Sequence, residues 1–67
     1  MHSYEELKDI GCRALNGITG ELPTVDTVEE IENAINAELH VDDPEFTVVI
    51  HGPDVRIAFK GIGLVIT

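Results

Sequence analysis

Residues Phe46 to Thr67, FTVVIHGPDVRIAFKGIGLVIT, decide how the chain folds. Apolar side chains alternate with polar ones at Phe46, Val48 and Ile50, again at Val55, Ile57 and Phe59, and again at Ile62, Leu64 and Ile66. A period of two places alternate side chains on one face of an extended strand, so each run reads as a strand with one buried side. Gly52, Pro53 and Asp54 break the first run from the second, and Gly61 with Ile62 breaks the second from the third. Turns that short join neighbours, and the expectation is a three-stranded antiparallel meander. The opposite face would show Thr47, Val49, His51, Arg56, Ala58, Lys60, Val65 and Thr67.

A sheet this small cannot leave its apolar side in water, so helices must come from the residues before it. Ser3 with Glu6 three residues later is a capping-box pattern, and Tyr4, Leu7, Ile10, Ala14 and Leu15 then recur at helical spacing. Gly11 lies within that run, where glycine costs about 1 kcal/mol relative to alanine, and its place suggests a close approach to the sheet. Asn16 and Gly17 form a stop, Gly17 being free to close the helix in the left-handed conformation. Ile18 to Val25 reads as a loop, with Ile18, Leu22 and Val25 as candidate core plugs. A second helix starts at a cap on Asp26 or Thr27, buries Val28, Ile31, Ala34, Ile35 and Leu39, and ends near Leu39 or His40. Pro44 forbids any continuation and sets Asp43 to an extended conformation. The expected fold is one small α+β domain, a two-layer sandwich of order ααβββ with both helices on one face of the sheet.

Thirteen acids against four bases give the 67-residue chain a formal net charge of −9. Twelve of the acids and two of the bases, Lys8 and Arg13, precede Phe46; Asp54, Arg56 and Lys60 are the charges after it. The acidity therefore belongs to the helical part. Such a field repels nucleic acid and membrane phosphates and favours basic partners, including proteins whose basic groove holds nucleic acid. A single cysteine, Cys12, allows no internal disulfide; no stretch reads as a signal peptide or a membrane-spanning run, and a cytoplasmic setting is expected.

Chemical motifs are weak by comparison. His40, Asp42, Asp43 and Glu45, with His51 and Asp54 a hairpin away, match no metal-binding spacing, and no metal or cofactor is expected. Cys12 beside Arg13 has no base and orienting group placed for it, and reads as a small packed residue rather than a nucleophile. Gly61 and Gly63 have no helix after them to cradle a phosphate and read as turn glycines. Catalysis is not expected.

What remains is the acidic surface: Glu5, Glu6 and Asp9 on the first helix, Glu29, Glu30, Glu32 and Glu38 on the second, and Asp42, Asp43 and Glu45 in the connector. A solvated face that keeps the chain in solution is the plain reading of such carboxylates. The sharper one is a binding surface whose carboxylates take the place of phosphates in a basic groove. In small size, acidity and lack of catalytic groups the chain resembles the phage and mobile-element proteins that inhibit host nucleic-acid machinery, such as anti-restriction and anti-CRISPR proteins. That resemblance is one of composition, rests on no motif and assigns no residue. It implies a protein-binding inhibitor or adaptor acting on a basic surface of a nucleic-acid-processing complex. The alternative is a self-associating structural or regulatory module, a homodimer paired through the free sheet face or the edge at Leu64 to Thr67.

Overall fold

A computed structural model describes residues 1–17 and 24–67. The order is ααβββ: α1 (Tyr4–Asn16), α2 (Val25–Asn36), β1 (Phe46–His51), β2 (Asp54–Phe59) and β3 (Leu64–Ile66). Both helices cover the same face of an antiparallel sheet of order β1-β2-β3, the expected two-layer sandwich. Among the described residues no helix is long and apolar enough to cross a membrane.

The register runs Phe46 opposite Phe59 to His51 opposite Asp54 in the first pair, and Ile57 opposite Ile66 to Phe59 opposite Leu64 in the second. Val55, Ile57, Phe59, Leu64 and Ile66 are buried against Leu7, Ile10, Ile31 and Ile35. Phe46, Val48 and Ile50 point to the same side but are only half-buried. Gly52, Gly61 and Gly63 hold positive φ in the two turns, where a side chain would strain the backbone. Ile62 belongs to the second of these turns and is exposed, so β3 begins two residues later than the alternation implies; Asp54 belongs to β2 rather than to the first turn.

Ser3 caps α1 as its spacing implies, its hydroxyl accepting from the Glu6 amide at 3.3 Å. Leu7, Ile10 and Gly11 are buried, and a Cβ at Gly11 would collide with Ile66 Cδ1, which is why glycine occupies that point on the stripe. Tyr4 departs from expectation. At the first helical position it lies ahead of the stripe and stays exposed. Gly17 also departs: its φ is −74°, and the helix closes with a right-handed turn in which the Gly17 amide donates to Arg13.

In α2 the cap is Thr24, not Asp26 or Thr27. The Thr24 hydroxyl accepts from the Thr27 amide at 3.3 Å while the Thr27 hydroxyl accepts from the Thr24 amide at 3.1 Å, so two threonines satisfy each other's amides. Asp26 falls in the first turn, where it suits the helix dipole. The earlier start leaves Val25 81% exposed, so it is no core plug; Ile18 and Leu22 lie outside the described residues. The helix ends at Asn36, short of Leu39, and Leu39 reaches the core from the following turn. Ala34 is exposed, which narrows the buried stripe to Ile31 and Ile35 with Val28 half-covered.

Candidate functional site

Because Leu7 and Ile10 turn α1 inward, Glu5, Glu6 and Asp9 are carried to the surface; Ile31 and Ile35 do the same for Glu29, Glu30 and Glu32 on α2. Arg13 ties the two helices' acids together. Its Nε donates to Asp9 Oδ2 at 3.1 Å along α1, and its Nη1 lies 3.0 Å from Glu38 Oε1 beyond the end of α2. Glu5, Glu6, Asp9 and Glu38 therefore share the rim of one recess of about 480 Å³ with Arg13 on its wall. Both ion pairs are largely exposed and contribute little to stability, so Arg13 serves mainly to offset charge.

The remaining acids are not in that recess. Glu30 lies beside Arg13, Ala14 and Gly17 where the helices meet. Glu32 and Glu45 flank a second recess of about 450 Å³ between α2 and the start of β1, whose apolar wall includes Leu39, Pro44 and Phe46. Glu45 also lies 4.0 Å from Lys60 Nζ, an exposed contact at the limit of an ion pair. Glu29 and Asp42 are exposed.

Asp43 is different. Its side chain is fully enclosed, and its carboxylate is not offered to solvent. Oδ1 accepts from the His2 backbone amide at 2.7 Å, and Oδ2 accepts from the His40 amide at 2.7 Å and lies 2.8 Å from His2 Nδ1. With a carboxylate as acceptor, the proton of that contact sits on Nδ1. The His2 ring stacks on His40 with centroids 5.1 Å apart and planes 17° from parallel. The amide of His40, then that of His2, hold the Asp43 carboxyl well below the usual carboxylate range despite the opposing effect of enclosure. Of the ten candidate contact residues, Asp43 is thus the one turned inward, where it clasps the segment before α1 to the connector before β1.

That clasp joins residues 41 positions apart, so no local pattern announces it. The one available signal is the spacing of His40 and Asp43, which suits a side chain folding back onto an amide of its own turn. Among the described residues no group of three ligating side chains stands at metal-binding distance. Cys12 is half-buried against the core, and the Arg13 side chain beside it in sequence is directed to Asp9 and Glu38.

The other side of the sheet has a different chemistry. Arg56 and Lys60 project there with Thr47, Val49, Val65 and Thr67, and Ala58 lies between Thr47 and Val65 in register. The two layers therefore divide the chain's charge unevenly: most carboxylates lie over the helices and connector, whereas the open sheet face carries Arg56 and Lys60 with Asp54, and Glu45 lies at Lys60. Comparison with protein-family models, with curated proteins and with solved structures finds no match.

Proposed function

We propose that the chain is a small acidic protein-binding inhibitor or adaptor, working in a cytoplasmic setting, whose helical layer occupies a basic surface of a nucleic-acid-processing complex. The observation that carries this reading is the excess of exposed carboxylates on the helical layer. Glu5, Glu6, Glu29, Glu30 and Glu32 are all exposed and form no ion pair among the described residues, while Arg13 is committed to Asp9 and Glu38. Carboxylates held on a rigid two-helix frame present fixed negative charge without the ordering cost of a flexible acidic tail. The reading involves no catalysis, cofactor, membrane or direct nucleic-acid contact; specificity comes from the spacing of charges, and association is steered by the field.

Affinity capture on the immobilised protein from nuclease-treated lysates tests it. A nucleic-acid-binding protein that stays at low salt and is released at high salt is the expected outcome, since exposed charge pairs are screened over about 10 Å at 0.1 M. Recovery of nothing but a second copy of the chain would contradict it and favour the self-associating module. That second reading draws on the exposed Val49 and Val65 of the open sheet face.

A further inference from the structure

The outer edge of β1 is an unfilled strand position. The Lys60 amide donates to the Glu45 carbonyl at 2.8 Å, and the register continues from there through Thr47 opposite Ala58, Val49 opposite Arg56 and His51 opposite Asp54. In an antiparallel ladder hydrogen-bonded pairs alternate with non-bonded ones, so Glu45, Thr47, Val49 and His51 bond to β2. The amides and carbonyls of Phe46, Val48 and Ile50 then point away from the sheet, and nothing among the described residues pairs with them. Proteins blunt such edges with lysine, proline, bulges or short strands. None of these interrupts Phe46 to His51, whereas the opposite edge, β3, is only three residues long.

We infer that β1 is the docking edge for an extended segment of the basic partner, which adds to the sheet as a fourth strand. The inference rests on the proposed reading of a basic partner and says how that partner is held. Side chains of an added strand would lie beside Phe46, Val48 and Ile50, whose half-buried state leaves apolar surface to cover. At the Phe46 end the strand would run past the recess flanked by Glu32 and Glu45. The exposed Glu32, beside the apolar wall of Leu39, Pro44 and Phe46, matches an arginine, whose methylenes pack while its guanidinium meets the acid. The occupant is therefore a segment of alternating apolar residues with arginine at its end. A second copy fits poorly, since each copy brings an acidic α2 against β1 and a net charge of −9.

The test uses a synthetic peptide with an alternating valine and threonine core flanked by arginines, and the same peptide N-methylated on the amides that would face β1. Charge is identical in the two, but the second cannot complete the ladder. The first should bind with slowed amide exchange at Phe46, Val48 and Ile50, and methylation should weaken binding about tenfold or more. Val48→Pro removes an outward amide without touching the bonds to β2 and should have the same effect, while Glu32→Gln should weaken binding about threefold. Equal binding of both peptides, or shifts confined to the helices, would overturn the edge inference and leave the acidic-face reading standing. Protection along β1 that survives high salt and charge reversal at Glu29, Glu30 and Glu32 would keep the edge and remove that reading. Failure of the unmethylated peptide to bind would overturn the inference.

Discussion

The two faces of the sheet carry side chains from the same three strands, yet they obey different physics. On the helix side, Ile57 is completely buried and Phe59, Leu64 and Ile66 nearly so. One residue along each strand, Arg56, Ala58 and Val65 lie on a face that nothing in the described structure covers. The helices repeat the division, with isoleucine and leucine inside and carboxylates outside. Burial thus fixes the fold from within, and everything available to a partner is what burial has pushed outward: acids on the helical layer, a mixed and mildly basic surface on the sheet.

The contrast is broken most directly from the inside. Ile57→Ala should cost about 2–5 kcal/mol, since it opens a cavity at a fully buried position. A domain of this length is stable by roughly 3–10 kcal/mol, so the variant should lose a large fraction of that stability, read as a much lower urea midpoint by circular dichroism. The same truncation one layer out, Val65→Ala, should change the free energy of unfolding by less than about 0.5 kcal/mol. Equal losses at the two positions would show that the open face is covered after all.

Next in size is Gly11. Val at this position would drive a branched side chain toward Ile66 Cδ1 and the Phe59 ring, and should destabilise by about 1–3 kcal/mol through overpacking. Thermal melts of Gly11→Val and Gly11→Ala measure it, and alanine should cost less because the Ile66 terminus can rotate and the helix gains about 1 kcal/mol of propensity. At the start of α2, Thr24→Ala should lose about 1 kcal/mol, while Asp26→Asn should lose only a few tenths.

These cases also show what was legible in sequence. The meander, the sidedness of the strands and the order ααβββ follow from a period of two and from glycines at turns, because the hydrophobic pattern must match the geometry it serves. The cap of α2 was harder. Thr24 and Thr27 act as a reciprocal pair, but the glutamates after Asp26 and Thr27 advertise a stronger-looking box on the wrong residues. Tyr4 and Ala34 fit the helical period and yet lie where the sheet does not reach, since periodicity marks a direction and not an extent. Among the acids, Asp42 and Asp43 are adjacent and chemically alike; only the tertiary approach of His2 separates the exposed one from the enclosed one.

The Asp43 clasp sharpens the comparison on the pH axis. Its carboxyl is held below the ordinary value of about 3.9, so the native state binds this proton less readily than the unfolded chain. The stability it contributes is therefore fully present above the unfolded value and is lost as the pH falls below about 4 toward the folded one. Asp43→Asn should flatten that part of the pH–stability curve, as followed by urea melts between pH 2 and 7. The effect is the smallest of the set, and a wild-type curve matched by Asp43→Asn would remove the clasp from the account.

The central claim is that the acidic helical layer is the surface a basic partner meets, and its most direct test is charge reversal. With Glu29, Glu30 and Glu32 all changed to lysine, the chain should keep its circular dichroism spectrum, since these side chains are exposed, and should lose the salt-labile nucleic-acid-binding partner captured by the wild type. Retention of that partner by a folded triple variant, with unchanged affinity and salt dependence, would contradict the account.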